Sequence, residues 1–393
     1  MQNKNEYSII VAGDLMPSEE NFGLFVAGNV EKLFGQELIQ FFSNADYSIV
    51  NLEGALTDST ICQEKEGPVI KAPVNTVLGI KSLGVKALAL ANNHITDYLD
   101  RGYHDTTNAL DSLGIDYVGT GDNAQTIKKY LSFSLGNKKV CIYNVSETFF
   151  NRPSKDTAGV NVYDEWIVCN EIKELKKSHD FLIVIYHGGA EYFPYPTPQT
   201  RTRFHRMADC GADFITAQHT HCIGCEEYYN GSYLLYGQGN FLFARQKGLM
   251  MRQGLLSEIV LNDNGFSVNN ILVIVDNGVV RFDAKQDLTD FYERSKRVED
   301  TDYIVSLFKS TKSKEIMDKY LRSYKGGFPL RKMIMRFVPR YKKELGKTYS
   351  KQQMLRNLNV VQGERRCEDM YYVWQYIIEE YGRRKTDSNN RKT

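Results

Sequence analysis

The chain has 393 residues, 42% hydrophobic and 25% charged, the balance of an ordinary globular protein with a sizeable core in two or three domains. Disorder, collagen and coiled coil are excluded by that composition. The net charge of +1 hides an asymmetry: 25 of the 49 basic and 14 of the 48 acidic residues fall in 290–393, so that segment carries about +11 and the remainder about −10.

Short runs of Val, Ile, Leu, Tyr or Ala predict strands at 8–12, 47–51, 85–91, 116–118, 140–145, 181–186, 214–217 and 233–236. Helical spacing lies between them at 30–42, 75–83, 105–113, 164–177 and 200–210, several of these stopping near a glycine such as Gly84, Gly114 or Gly211. The alternation predicts an α/β fold. Residues 255–261 and 266–275 read as a hairpin around Asn262-Asp263-Asn264-Gly265, after which strands are expected to stop. From 287 onward the pattern is of basic helices with interspersed tyrosines, broken at Gly326-Gly327, Pro329 and Pro339 and ending in a disordered polar stretch. The expected organisation is a domain over 1–285 and a basic, mainly helical extension over 286–393.

No run approaches the ~18 apolar residues of a membrane span, and a strand-like run starting at Tyr7 leaves no room for a signal peptide. The expected location is the cytoplasm. Seven cysteines without framework spacing predict free thiols in a reducing compartment.

In an open α/β sheet, ligands bind beyond the carboxyl ends of the strands. Nearly every expected strand here ends in a metal-type ligand: Asp14, Glu53, Asn92-Asn93-His94, His187 with Glu191, His219-x-His221 and Asn240. Taken singly each is weak, because an Asp after a strand also caps helices and a lone histidine also serves as a satisfied core residue. Jointly they are stronger. Four of the seven histidines sit at strand ends, and His-x-His on an extended chain puts two imidazoles on one side, as a chelate requires. An O/N donor set without thiolate suits Mn, Fe or Zn.

The string Gly13-Asp14-Leu15-Met16, Asn51-Leu52-Glu53-Gly54, Leu90-Ala91-Asn92-Asn93-His94-x-x-Asp97, His187-x-Gly189-x-Glu191, Gly211-Ala212-Asp213…His219-x-His221 and Tyr236-Gly-x-Gly239-Asn240-Phe241 resembles the CapA, or poly-γ-glutamate capsule biosynthesis (PGA_cap), family. That family belongs to the calcineurin-like metallophosphoesterase superfamily, and the resemblance runs from about residue 8 to 243. It implies a four-layer α/β/β/α sandwich with a two-metal site. By motif, Asp14 and His221 would hold the first metal, Glu53 would bridge, and Asn93, His187 and His219 would hold the second. His94 would be the general acid or charge stabiliser at the leaving group. The superfamily's first motif is Asp-x-His, whereas this chain has Met16 at the histidine position, which removes an imidazole from the first metal and leaves one ion as an alternative to two. Glu53 is also one methylene longer than the usual Asp.

Other positions carry two readings. Asp97 orients His94 or caps the following helix. Glu191 and Gln199 read an amine or amide on the substrate, or bond within their loop. Asn240 lines the site with its amide or forms a turn. Cys222-x-x-Cys225 has no second pair to complete a zinc site and reads as two ordinary thiols; Gly119-Thr-Gly121 lacks the rest of a phosphate loop and reads as a turn. His104, His179 and His205 default to surface roles. In the tail, Met333, Ile334 and Phe337 stand at helical spacing among six basic residues over 329–343, a stretch suited to an anionic membrane surface or an acidic polymer, or to packing on the acidic body. No nucleic-acid motif occurs.

The resemblance implies a metal-dependent hydrolase of capsule or exopolymer biosynthesis, a metal-bound hydroxide attacking a phosphoester or a γ-glutamyl amide of a polyglutamate- or polysaccharide-type substrate. The rival readings are a non-catalytic accessory or scaffold of a polymer synthase, and a general intracellular phosphodiesterase.

Overall fold

The computed structural model describes residues 6–316 apart from 66, 148–150 and 244–247, with side chains to residue 312. The chain divides into two compact units, Met1–Gln63 with Val69–Asp300, and Glu64–Pro68 with Thr301–Thr393. In the second unit the described residues include the helix Thr301–Ile316.

Two large sheets build the first unit. In chain order their strands are β1 (Glu6–Met16), β2 (Tyr47–Leu52), β3 (Ala87–Ala89), β4 (Asp116–Val118), β5 (Tyr130–Leu135), β6 (Lys138–Ser146) and β7 (Phe181–His187). There follow β8 (Phe214–Gln218), β9 (Glu226–Tyr229), β10 (Ser232–Leu235), β11 (Asn240–Phe243), β12 (Gln253–Asn262), β13 (Gly265–Asp276) and β14 (Val279–Phe282). The first sheet runs β14-β13-β12-β1-β2-β3-β4 with β11 also on β1; the second runs β9-β10-β8-β7-β6-β5. Within them β1 to β4 are parallel, as are β6, β7, β8 and β10, so the carboxyl ends of each set share one edge.

Alternation along the strands sorts the core into layers. Ile9 and Val11 of β1 and Ile49 of β2 share a buried cluster with Ile142, Ile183 and Ile185 of the second sheet. Ile10, Ala12, Val50 and Leu52 point the other way, into a cluster with Leu33, Phe34, Leu38 and Phe42 of α1 (Val30–Asn44), Ile80 of α2 (Val77–Ser82) and Leu110 of α3 (Leu99–Ser112). On the outer face of the second sheet, α4 (Glu165–Lys176) and α5 (Pro198–Asp209) pack on each other and on β7 and β8. Phe204 of α5 meets the rings of Tyr186 and Tyr236 there. The unit is the four-layer α/β/β/α sandwich that the motifs imply. A strand covered on both faces must be apolar on both, which is why every residue of Phe181–His187 is buried. Capping starts the outer helices: Asp164 accepts from the Ile167 N–H, and Thr197 from the Thr200 N–H ahead of Pro198 at the first turn.

The differences from the expected elements have local causes. β1 runs past residue 12 to Met16 because β11 adds to it from Asp14 onward, across a bulge. α3 begins at Leu99 rather than 105; Gly102, lacking a side chain, lets its first turn lie against Ala55, 3.3 Å from where a Cβ would stand. Strands do not stop at 275: Asn277 and Gly278 take φ of 49° and 74°, a hairpin turn into β14. β5, whose Leu131, Phe133 and Leu135 alternate inward, escaped prediction altogether. The basic stretch 329–343 and the polar end lie outside the described residues.

Candidate metal centre

The site forms where the carboxyl ends of β1, β2, β7 and β8 converge. Gly13 makes this possible: a Cβ there would stand 2.1 Å from the Gly239 carbonyl oxygen, so only glycine lets that segment close on β1. Asp14 then falls in register with Asn51 of β2 and Asn240 of β11. It is fully buried, with Oδ1 accepting from Asn51 Nδ2 at 2.8 Å and Oδ2 from the His219 N–H at 3.1 Å.

Glu53, just past β2, is also fully buried, and neither carboxylate oxygen has a hydrogen bond. Imidazole nitrogens surround its Oε1 instead: His187 Nε2 at 3.5 Å, His221 Nε2 at 3.8 Å and His219 Nδ1 at 4.0 Å. Among the described residues, two triplets of ligand-type atoms lie within 4.8 Å of one another, Asp14-Glu53-His221 and Glu53-His187-His219, and Glu53 belongs to both. Asn93 Oδ1 adjoins the second, 2.8 Å from His187 Nε2.

These spacings fit divalent cations. Two ligands of one tetrahedral ion with bonds of about 2.1 Å lie roughly 3.4 Å apart. A buried carboxylate with neither hydrogen bond nor counter-ion costs several kcal/mol, a cost that an ion among Glu53 and the imidazoles removes. The donors are oxygen and nitrogen only.

The electrostatics agree. Burial, then the nearby Asp14 carboxylate, push Glu53 well above the usual carboxylate range. Burial pulls His187 down to about 4, leaving the neutral imidazole that a ligand must be. His221 also feels burial pulling it down, but Glu53 and Asp14 outweigh that and hold it above its ordinary value.

The His-x-His segment departs from the extended chain expected of it. β8 ends at Gln218, and His219 and His221 both take left-handed backbone, φ 81° and 52°. Their rings lie 6.1 Å apart and divide between the two triplets rather than chelating one ion.

His94 is 5% exposed, its Nδ1 2.6 Å from Asp97 Oδ2. Asp97 accepts further bonds from the Ile70 N–H and the Gln63 amide, while α3 starts at Leu99 with no side-chain cap. Glu191 Oε1 lies 3.4 Å from His219 Nε2. Gln199 stands in the first turn of α5, outside both triplets. Asn240 is fully buried, Oδ1 2.9 Å from His221 Nδ1 and Nδ2 donating to the Met251 carbonyl. Met16 belongs to the helix-side core and packs over Gly54, its sulfur 2.8 Å from where a Cβ on that glycine would stand.

Sequence reasoning assigned no role to the amides that support this edge. Asn51 Nδ2 reaches Asp14 and lies 3.4 Å from His187 Nδ1. Asn92 Oδ1 accepts from the N–H groups of His94 and Ile95, shaping the loop that carries Asn93 and His94. Asn151 donates to the Asn92 carbonyl and accepts from Thr96, and Asn144 links the Ala91 N–H to the Ile185 carbonyl across the two sheets. A polar residue inside an apolar strand, as at Asn51 and Asn144, was the available signal. Cys222 and Cys225 are buried and neither is in a disulfide, and Thr120-Gly121 pairs with Gly159-Val160 in a short ladder.

A four-layer sandwich with a buried carboxylate shared by two histidine-containing triplets at its strand ends defines an α/β protein with candidate divalent-cation ligands. The family described as bacterial capsule synthesis protein PGA_cap matches residues 8–245, and the chain belongs to that family. It is 29% identical over 241 residues to the capsule biosynthesis protein CapA of Bacillus anthracis, covering 59% of this chain and 58% of that protein. It is likewise 29% identical over 262 residues to the PGA biosynthesis protein CapA of Bacillus subtilis strain 168, covering 64% and 67%. The chain thus spans under two thirds of the first relative's length. A solved structure of a phosphatase from Mycoplasma pneumoniae superposes with a TM-score of 0.45 at 16% identity, over 73% of this chain and 99% of that one. Among the described residues no helix is long and apolar enough to cross a membrane.

Proposed function

We propose that this chain is a metal-dependent hydrolase of capsule or exopolymer biosynthesis, using two divalent cations (Mn, Fe or Zn) on a phosphoester or a γ-glutamyl amide. The observation that carries the reading is Glu53, buried, without a hydrogen bond and common to both triplets. Asp14 and His221 would hold one cation and Asn93, His187 and His219 the other, with Glu53 available to both. When bound, such a pair supplies Lewis acidity and an activated water.

The chain's own residues supply the rest. Asp97, accepting from His94 Nδ1–H, fixes that imidazole's tautomer and leaves Nε2 as the group that exchanges a proton with the leaving group. Asn240 does the same for His221, so we assign it to positioning that ligand rather than to substrate. Membership of the PGA_cap family and the curated CapA relatives support an anionic polymer as substrate and capsule-synthesis machinery as partner. The charge of about +11 over 290–393 would attract such a polymer or an anionic membrane surface.

A non-catalytic accessory role is the reading that Met16 favours, since a thioether in the helix-side core occupies the sequence position at which the superfamily motif has a histidine. The test is hydrolysis by Mn²⁺-loaded protein of an aryl phosphate ester and of a γ-glutamyl anilide, with Glu53→Gln as control. Turnover of either that Glu53→Gln abolishes supports the hydrolase; no turnover of both by metal-loaded protein contradicts it.

A further inference from the structure

The segment after β7 folds back over the His-x-His turn and holds it at three points. The Tyr192 N–H donates to the Thr220 carbonyl at 2.7 Å. The Tyr192 ring stacks on His221, centroids 5.8 Å apart at 27°. Glu191 Oε1 stands 3.4 Å from His219 Nε2, while the other nitrogen of that ring, Nδ1, faces Glu53. Left-handed backbone at Gly189 and Tyr192, φ 101° and 56°, makes the reversal.

We propose that Glu191 is the positioning residue of His219: its carboxylate takes the Nε2–H, fixes the ring orientation, and leaves the Nδ1 lone pair toward Glu53 for a cation. A neutral imidazole carries one N–H, so anchoring it at Nε2 dictates which nitrogen can bind metal. A carboxylate behind a ligating histidine also raises its basicity. Such a restraint has a specific task here, because His219 lies in left-handed backbone, where the preceding strand no longer sets the side-chain direction. This replaces the reading of Glu191 as a substrate contact. Its side chain is 32% exposed.

The inference rests on the binuclear reading above. The experiment titrates Mn²⁺ into metal-free wild type, Glu191→Ala and Glu191→Gln by isothermal calorimetry, with substrate KM measured alongside. Glu191→Ala is expected to weaken one equivalent about 10- to 100-fold and spare the other. Glu191→Gln, whose amide oxygen still accepts the Nε2–H, is expected to recover most of that loss. Both variants binding Mn²⁺ like wild type overturns the proposal, and a raised KM at unchanged Mn²⁺ affinity does so by placing Glu191 on the substrate. Wild type that binds no metal overturns the binuclear reading, and this inference with it.

Discussion

Asp14 and Asn51 are register partners on adjacent parallel strands, and the Asn51 amide nitrogen donates to Asp14 Oδ1 at 2.8 Å. The same nitrogen lies 3.4 Å from His187 Nδ1, so one amide touches a member of each triplet. Asn51→Ala leaves a buried carboxylate oxygen without its donor. The expected cost is about 1–3 kcal/mol in urea denaturation of chelator-treated protein, with weakened binding of both cations. Unchanged stability would mean that Asp14 finds another donor.

Glu53→Gln should change sign with metal. Without a cation the wild-type carboxylate is buried and unbonded, so the neutral amide leaves stability unchanged or raised. With metal at about 100 times its Kd, wild type gains roughly 2.7 kcal/mol per ion and the variant little. Thermal unfolding with Mn²⁺ and with EDTA measures both; equal metal-induced shifts in the two proteins would remove Glu53 from the site.

Asp97→Asn should separate chemistry from metal binding. It takes the charge from His94 while touching neither triplet. The expected result is a kcat lower by about 10² or more at unchanged metal content. Full activity would remove Asp97 from the orientation of His94.

The strand-end candidate ligands were legible because each follows an apolar run, and the switch from apolar run to Asp, Glu or His marks where a parallel strand leaves the sheet. Asp14, Glu53, His187, His219 and His221 all stand out this way, and the structure gathers them within two triplets. The supporting amides were not legible. Asn144 and Asn151 acquire meaning through partners more than 40 residues away, as in Asn144 to the Ile185 carbonyl and Asn151 to the Asn92 carbonyl, and Asn92, besides shaping its own loop, reaches back 40 residues to the Leu52 carbonyl. The left-handed backbone at His219 and His221 was hidden for a similar reason: local propensity disfavours it, and the tertiary contacts of Asp14, Glu191 and Asn240 impose it. Asn277-Gly278, by contrast, is a turn signal that was present and passed over.

Away from the site, Glu227 sets an acid limit on stability. Burial alone would raise its carboxyl, but bonds from Arg201 at 3.0 and 2.6 Å, Tyr236 at 2.8 Å and His205 at 3.1 Å hold it below the ordinary range. A lowered folded-state value means that the contribution is present above the unfolded value near 4.5 and is lost as pH falls through the folded one. Glu227→Gln is therefore expected to cost about 1.5–3 kcal/mol at neutral pH, the gap to wild type closing below about pH 4. A gap that does not narrow in acid would assign the loss to packing.

The shared carboxylate of Glu53 makes a stoichiometric claim, and metal content per chain tests it most directly, by elemental mass spectrometry on protein purified without chelator beside the His221→Ala variant. Two equivalents of Mn, Fe or Zn in wild type, falling to one in the variant, is the predicted result. One equivalent that His221→Ala leaves in place, or none after reconstitution, would contradict a two-cation centre built on Asp14, Glu53 and the three histidines.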